Sequence, residues 1–347
     1  MNMQASTQAG PKTLTLEYVK TIGMLSNAMG RGFANPYDVA ISQDHRLFVL
    51  SRSAAGQAEL ARVGIVTYEE EEYLGEFGKG YGSGDGQFTL AVALALDSQE
   101  RLYITDEYTH RISVFDLAGN FLKRWGVSGS GKGQLNGPAG IAIDPQDQVY
   151  VVDQHNNRVQ VFTTDGEYIF EWGEAGSGPG QFNMPWGVTL DAGGHVYVAD
   201  WRNDRIQKFS PRGEFLASFG ESGDGDGQIH RPSGVAVDPE GYIYVSDWGN
   251  ERVQVLGPDG SFQLKLRGQA TLSKWAEEFF AVNPDEWSTR QVANLIPKLP
   301  PHLNTPHHIS SQTEPYFWGP VSVKLDREGR LYVVESNRSR IQVYQKR

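Results

Sequence analysis

The sequence contains no cysteine, which excludes disulfide bonds, thiol nucleophiles and thiolate metal sites. It also lacks a hydrophobic run long enough to cross a membrane, and its first twenty residues hold no apolar segment of the kind found in secretory signals. Basic residues are outnumbered by acidic ones, and the formal net charge of −11 disfavours general binding to phosphate backbones. These absences lead us to expect a cytoplasmic protein that binds neither membranes nor nucleic acids.

What the sequence does contain is a repeated stretch, whose clearest copy covers residues 180–220. Four short apolar runs, separated by turn residues, predict four strands over Trp186–Leu190, Val196–Ala199, Arg205–Phe209 and Glu214–Phe219. With no room for crossover helices, these strands form an antiparallel meander. An acidic residue follows the second strand of successive copies at a constant interval of 47 residues, at Asp106, Asp153, Asp200 and Asp247. One four-stranded unit per repeat of this length predicts a β-propeller.

The number of repeats and the two ends of the sequence predict a closed ring. First strands begin near six positions, which gives six blades: Pro36, Ala91, Pro138, Pro185, Pro232 and Pro320. The last repeat stops after its third strand, RIQVYQKR, whereas residues 13–23, TLTLEYVKTIG, resemble a fourth strand. We therefore expect the N-terminal strand to complete the last blade, because such pairing removes an exposed sheet edge. Residues 1–12 are predicted to be a flexible lead-in.

The repeated motifs resemble those of the NHL-repeat family of six-bladed propellers. These motifs are P-x-G-[VI]-x-[VIL]-D, YVxD, xxNxR[VI]QVF and a GQF that follows the fourth strand. The resemblance extends over residues 13–347 and implies a single all-β domain made of four-stranded antiparallel blades. It carries little information about function, because this fold supports binding modules and several unrelated enzymes.

One connection interrupts the pattern. The loop from the fourth strand to the next first strand spans twelve residues in three repeats, but 52 residues from Gly268 to Pro320. We call residues 269–318 the insertion, and predict that it forms a partly helical lid over the top face. The top face is the one that carries the 2→3 loops, between the second and third strands of a blade, and the 4→1 loops, between the fourth strand of one blade and the first strand of the next. The 1→2 and 3→4 loops lie on the bottom face. Helical spacing of Leu272, Trp275, Ala276 and Phe279 predicts one helix, and Asn283-Pro284-Asp285-Glu286 predicts the start of a second. The Pro-rich remainder is expected to be extended.

Candidate ligand-binding residues cluster where the repeats differ from one another. Aromatic side chains on the top of blades 4 and 5 either seat the insertion or line a pocket for a flat ligand or a partner. The predicted ligand-binding set is Tyr37, His155, Trp186, Trp201, Arg202, Trp248, Trp318 and Ser322.

Acid–arginine pairs recur at the ends of the 2→3 loops, and their repetition favours a structural role over a ring of charges for a ligand. These pairs are Asp106/Arg111, Asp153/Arg158, Asp200/Arg205, Asp247/Arg252 and Glu335/Arg340.

Asp38 and Lys324 form the candidate catalytic pair. Asp38 replaces the glycine of P-x-G, and Lys324 replaces a small residue two positions further along the equivalent strand of blade 6. Because blades 6 and 1 are neighbours in a closed ring, the two side chains are expected to meet. The pair has two interpretations: an ion pair that fills the closing seam, or a tuned acid–base pair.

No metal site or cofactor is predicted. The related peptide-amidating lyases place zinc-binding histidines directly after the proline of the first strand, whereas the corresponding positions here are Tyr37, Ala139, Trp186, Ser233 and Val321. The histidines of this sequence lie on different blades and on the insertion, and their spacing is not that of a zinc-binding motif.

The sequence favours a monomeric module that binds a small molecule or a protein at its top face. The alternative is a cofactor-independent lyase or hydrolase with its pocket at the mouth of the central channel. The sequence does not decide whether the protein is an enzyme.

Overall fold

The computed structural model describes residues 14–26, 30–52, 60–78 and 80–347. Six four-stranded antiparallel sheets form the blades of a β-propeller. Blade 1 comprises β2 (Pro36–Ile41), β3 (Arg46–Ser51), β4 (Arg62–Thr67) and β5 (Tyr73–Phe77), and blade 2 comprises β6 (Ala91–Leu96), β7 (Leu102–Asp106), β8 (Arg111–Phe115) and β9 (Phe121–Trp125). Blade 3 comprises β12 (Pro138–Ile143), β13 (Val149–Asp153), β14 (Arg158–Phe162) and β15 (Tyr168–Trp172). The fold class and the number of blades predicted from the sequence are confirmed.

Blades 4 to 6 complete the ring. Blade 4 comprises β16 (Val188–Leu190), β17 (Val196–Asp200), β18 (Arg205–Phe209) and β19 (Phe215–Phe219), and blade 5 comprises β22 (Pro232–Val237), β23 (Ile243–Asp247), β24 (Arg252–Leu256) and β25 (Phe262–Leu266). Blade 6 contains β26 (Pro320–Leu325), β27 (Arg330–Glu335), β28 (Arg340–Lys346) and, as its outer strand, β1 (Leu16–Ile22). The remaining strands are short parallel pairs within 4→1 loops: β10 (Val127–Ser128) with β11 (Gln134–Leu135), and β20 (Glu221–Ser222) with β21 (Gln228–Ile229).

The N-terminal strand closes the ring as predicted. β1 pairs antiparallel with β28, from Leu16 opposite Lys346 to Ile22 opposite Ile341. The predicted flexible lead-in, residues 1–12, lies outside the described residues. No helix within the described residues is long and apolar enough to span a membrane.

The core lies between neighbouring blades, where β-branched and aromatic residues of the second and third strands face each other. A repeated tyrosine of the second strand is buried there, and its hydroxyl donates a hydrogen bond to the aspartate of its own 1→2 turn. The pairs are Tyr103/Asp97, Tyr150/Asp144, Tyr197/Asp191, Tyr244/Asp238 and Tyr332/Asp326. Burial raises the pKa of these phenols, to about 12 for Tyr150. Blade 1 departs from the pattern, because Phe48 occupies the tyrosine position.

Three helices form within the insertion: α1 (Lys274–Val282), α2 (Pro284–Val292) and α3 (Pro306–Gln312). The first two were predicted, although Asn283 does not cap α2 with its side chain, which instead donates to the carbonyl of Phe279. The prediction of an extended remainder is wrong, because α3 forms there. Thr305 caps α3 by accepting a hydrogen bond from the backbone N–H of His308, and Pro306 occupies the first turn.

Candidate functional site

The 2→3 loops of the top face share a hydrogen-bonded framework. In blade 4, the side chain of Asp200 accepts a hydrogen bond from the backbone N–H of Asn183, and Arg205 Nε donates to it at 2.9 Å. Asn203 donates to both Asp200 and the carbonyl of Gly176. Blades 3 and 5 repeat these contacts at equivalent residues. The acid–arginine pairs therefore tie each loop to the preceding 4→1 connection, as the structural interpretation predicted.

Blade 2 is an exception to this pairing. The guanidinium of Arg111 donates to the carbonyls of Ser83, Gly84 and Gln87, whereas Asp106 accepts from the backbone N–H groups of the loops around it. The fifth position of the loop is also structural: a side-chain acceptor binds a backbone N–H of the next 4→1 loop. These pairs are His110 with Gly137, Asn157 with Met184, Asp204 with Arg231 and Glu251 with Gly319.

In blades 3 to 5, the side chains at the second and third positions of these loops take no part in the repeated contacts, and the residues there differ from blade to blade. In blades 4 and 5 they place Trp201 and Trp248 side by side, with ring centroids 6.5 Å apart. The guanidinium groups of Arg202 and Arg231 lie 5.5 Å and 5.2 Å from the centroid of the Trp201 ring. We call Trp201, Arg202, Arg231 and Trp248 the aromatic–guanidinium patch. Sequence reasoning missed Arg231, although its position directly before the first strand of blade 5 places it on the top face.

Other predicted ligand-binding residues have separate surroundings. Tyr37 stacks against Arg52, whose guanidinium forms an ion pair with Glu107. His155 is exposed and packs over Gly137, where a Cβ would lie 2.5 Å from its ring. Trp186 is half-buried beside the channel axis and packs against the core of blades 2 to 4. Its backbone carbonyl accepts the N–H of Gly140 at 2.8 Å, and the first strand of blade 4 begins only at Val188 rather than at Trp186 as predicted.

Trp318 lies near α3, at the top between blades 5 and 6. Its ring centroid is 6.0 Å from that of His307 and 5.4 Å from the guanidinium of Arg338. Glu251 is buried beneath α3 and accepts hydrogen bonds from Gly319 N at 2.6 Å and from His307 Nδ1 at 3.1 Å. Burial raises the pKa of the Glu251 carboxyl. Trp318 therefore packs against α3 and against the 2→3 loop of blade 6.

Asp38, Ser322 and Lys324 meet at the channel axis where blade 6 joins blade 1. Asp38 Oδ1 accepts a hydrogen bond of 2.5 Å from Ser322 Oγ, and Oδ2 accepts one of 2.8 Å from the backbone N–H of Leu94. Lys324 Nζ lies 3.1 Å from Asp38 Oδ2. The structure thus brings together three residues that the sequence placed on two blades, and it links them to blade 2 as well. Both carboxylate oxygens are engaged within the seam.

The channel narrows at the level of these residues, which we call the waist. On the opposite side of the axis the strands approach closely: a Cβ on Gly187 would lie 2.7 Å from the carbonyl oxygen of Ser233, and one on Gly140 would lie 2.4 Å from that of Trp186. The glycine of P-x-G is therefore required by backbone contact between blades. Only about 30 Å³ remains at the waist, enough for no more than a few water molecules.

Below the waist the channel widens into a cavity of about 1040 Å³, which we call the funnel. It opens on the bottom face between the 1→2 turns, which contribute Asp97, Glu100 and Asp238 to its rim. The sequence predicted a lid over the top face and, for the enzyme alternative, a pocket at the mouth of the channel. Among the described residues, none that line the waist or the funnel comes from the insertion.

The contacts of α1 explain this difference. Trp275 is buried against Phe33 and Tyr73, with ring centroids 5.5 Å and 6.3 Å away, and Lys274 Nζ donates to the carbonyl of Glu70. These partners belong to outer strands and loops at the seam between blades 6 and 1. The helix is therefore attached to the outer side of the ring, where Trp275 joins the buried apolar cluster between blades 6 and 1.

Comparison with known proteins agrees with this architecture. The NHL repeat model matches residues 135–162, 182–209, 230–256 and 317–344. No curated protein is similar enough in sequence to count as a relative. Among solved structures, a protein of unknown function from Bacteroides thetaiotaomicron superimposes with a TM-score of 0.61 at 17% identity, and the match covers 96% of this chain and 76% of that one.

Two further structures belong to characterised proteins. Virginiamycin B lyase from Staphylococcus aureus matches with a TM-score of 0.55 at 13% identity, over 96% of this chain and 99% of that one. Hydrazine synthase from Kuenenia stuttgartiensis matches with a TM-score of 0.53 at 15% identity, over 90% and 95%. At these identities the likeness concerns the fold alone. Four stretches of the chain thus match the NHL repeat model, and the chain folds into a six-bladed β-propeller.

Proposed function

We propose that this propeller is a binding module that presents the aromatic–guanidinium patch to a partner protein. The observation that carries the proposal is the pairing of Trp201 with Trp248 at the two loop positions that the repeated framework leaves free. The repeated hydrogen bonds of the loops form without tryptophan at these positions, so Trp201 and Trp248 are not required for the loop structure. Blade 3 makes the same framework contacts with Gln154 and His155 at these positions.

The composition of the patch favours a protein partner. Tryptophan and arginine are enriched at the energetic centres of protein interfaces, because tryptophan buries a large rigid surface and arginine adds charge-assisted hydrogen bonds and stacks on aromatic rings. Neither Arg202 nor Arg231 forms a side-chain ion pair with a carboxylate of the described residues, and Arg202 is exposed. The partner segment that fits this chemistry carries a carboxylate next to an aromatic or aliphatic side chain.

The contacts at the waist support assigning Asp38 and Lys324 to the seam rather than to catalysis. Asp38 is buried, and its two oxygens accept hydrogen bonds from blade 6 and blade 2. A general base must reach the proton that it removes, whereas both oxygens of this buried carboxylate already accept hydrogen bonds within the fold. The binding module is therefore preferred to the lyase or hydrolase considered from the sequence.

Panning of a random peptide library against the purified protein tests the proposal. We expect enriched peptides to combine an acidic residue with a neighbouring aromatic or aliphatic residue. Their affinity should fall about 30-fold or more in Trp201→Ala, as expected for an interface centre worth about 2 kcal/mol or more. Arg202→Ala should weaken binding most for peptides with an acidic residue.

Phe215→Ala is the matched control, since this exposed aromatic residue lies on the outer strand of the same blade. It should bind the enriched peptides as the unmodified protein does. Thermal melting of each variant verifies that the ring is intact. Peptides that bind equally well to the Trp201→Ala/Trp248→Ala double variant would refute the proposal.

A further inference from the structure

The funnel on the bottom face has an apolar inner wall that reaches solvent. The ends of the first strands supply it, with the half-exposed side chains of Ile41, Leu96, Ile143, Val237 and Leu325. Its volume of about 1040 Å³ is at the upper end of the range of small-molecule sites, roughly 300–1,000 Å³. The waist, with about 30 Å³ of space, bounds the funnel on the inner side.

A single ammonium group interrupts this wall. Five blades have small residues at the equivalent position of the first strand, namely Ala40, Ala95, Ala142, Thr189 and Ala236, whereas blade 6 has Lys324. The Lys324 side chain is 28% exposed and lines both the waist and the funnel. No other described lysine or arginine is on the first-strand part of the wall.

The orientation of Lys324 is set by its neighbours. Asp38 Oδ2 lies 3.1 Å from Nζ, and the carbonyl of Leu94 accepts a longer hydrogen bond of 3.4 Å. Asp38 is itself held by Ser322 Oγ and Leu94 N, so the anchor of the ammonium does not have to reorganise. An ammonium has three N–H donors, and two contacts leave one for a group inside the funnel.

We infer that the funnel is a second binding site, separate from the patch on the top face, for an elongated apolar molecule with one carboxylate. The aliphatic part contacts the apolar wall, and the carboxylate accepts a charge-assisted hydrogen bond from Lys324. A carboxylate suits this position because Lys324 keeps one N–H donor for the funnel, and a charge-assisted hydrogen bond is stronger than one to a neutral acceptor. Among the described residues, the other polar side chain on the first-strand part of the wall is the neutral Thr189, whereas the charged Arg327, Lys346 and Arg347 line the funnel from the 1→2 turn and the last strand of blade 6.

Isothermal titration calorimetry with decanoate as the probe, and decan-1-ol as its uncharged counterpart, tests this inference. Decanoate is expected to bind the full chain, and Lys324→Met to weaken it about tenfold or more, the usual range for hydrogen bonds to charged groups. The affinity for decan-1-ol should change by less than about threefold in the same variant, since only apolar burial holds it. Lys324→Arg keeps the charge and should retain most of the affinity for decanoate.

Ala142→Phe is a second variant that leaves the Asp38–Lys324 pair intact and fills the funnel at the same level of the wall. It should abolish binding of both probes, whereas the outer-strand variant Phe215→Ala should bind both normally. The inference is wrong if the unmodified protein does not bind decanoate, or if Lys324→Met or Ala142→Phe binds it as tightly as the unmodified protein. Peptide binding at the top face is measured separately, so either site can fail alone.

Discussion

The indole Nε1 of Trp275, in the insertion, donates a hydrogen bond of 2.6 Å to the backbone carbonyl of Glu71, in the 3→4 loop of blade 1. Other seams are built differently: the aromatic residue that ends a fourth strand packs against a glycine in the 3→4 loop of the next blade. These pairs are Phe77/Gly119, Trp125/Gly166, Trp172/Gly213 and Phe219/Gly260. At the closing seam, the smaller Ile22 ends the fourth strand and Glu71 occupies the glycine position with a positive φ of 53°. Trp275 therefore supplies from outside the aromatic side chain that this seam lacks.

Replacing Trp275 with alanine is expected to destabilise the ring. The indole is 1% exposed, and truncating a buried tryptophan costs about 3–5 kcal/mol because a cavity is left and the hydrogen bond is lost. Thermal melting should show a clear decrease, together with faster proteolysis within α1. Trp287→Ala is the control, since this indole on α2 is 38% exposed. Equal melting temperatures of the two variants would contradict the assigned role.

Removal of residues 1–22 is expected to expose the edge of β28. The deletion should lower the melting temperature and promote aggregation, because the unpaired strand presents free N–H and C=O groups. A synthetic peptide with the sequence of residues 13–23 should restore part of the lost stability when it is added in excess. A scrambled peptide should have no effect. If the deleted protein melts like the intact chain, the pairing of β1 with β28 does not contribute to stability.

A methyl group at the waist is expected to be poorly tolerated. In Gly187→Ala, the new Cβ would lie 2.7 Å from a backbone oxygen, which cannot move without shifting blade 5. Overpacking of this kind typically costs about 1–3 kcal/mol, measurable by chemical denaturation. Gly64→Ala is the matched control: its Cβ would meet side-chain atoms only at 3.8 Å and 4.0 Å. Comparable losses in both variants would argue against the backbone contact as the cause.

The pKa of Glu251 predicts an unusual pH dependence. Burial raises its folded-state pKa, so the carboxyl binds protons more readily in the folded state, and its contribution to stability is lost as the pH rises through that pKa. Glu251→Gln removes the cost of burying the ionised carboxylate. The melting temperature of this variant, relative to that of the unmodified protein, should therefore be higher at pH 7 than at pH 4.

The exposed Glu240 gives the opposite sign and serves as the control. A hydrogen bond from Lys346 lowers its pKa, so its stabilising contribution is present above its unfolded-state pKa and lost as the pH falls. The melting temperature of Glu240→Gln, relative to that of the unmodified protein, should therefore be lower at pH 7 than at low pH. Differential scanning fluorimetry across this range measures both effects. Parallel pH profiles for the two variants would be inconsistent with burial as the cause at Glu251.

The repeated part of the molecule was predictable because each blade restates the same local rules. The apolar–polar alternation of the strands, the turn glycines and the acid–arginine pairs recur in successive blades. A strand that is ambiguous in one blade can therefore be assigned from the equivalent strands of the others. Closure by residues 13–23 was predictable for the same reason, since that segment matches a missing fourth strand. The meeting of Asp38 with Lys324 then followed from the neighbourhood of blades 6 and 1.

The insertion has no second copy in the chain, and the sequence did not show where its first helix would attach. Helical spacing showed that Trp275 would be on an apolar face, but not which groove that face would fill. A comparison of the seams contains the missing signal: Ile22 and Glu71 stand where other seams have an aromatic residue and a glycine. The N-terminus of α3 was also predictable from the sequence, because Thr305 is a common N-cap residue and proline is common at the first helical position. The funnel was missed because its walls consist of ordinary small and aliphatic residues, which only the closed ring arranges around a cavity.

The closure of the ring has a consequence for the order of events during synthesis. Glu17 and Arg347, which form an ion pair beside β1 and β28, are 330 residues apart in sequence. β1 is synthesised before the other strands of the propeller, whereas its hydrogen-bonding partner β28 is synthesised after all of them. The sixth sheet therefore cannot be completed until β28 has been made. Until then, β1 presents free N–H and C=O groups as an unpaired strand edge.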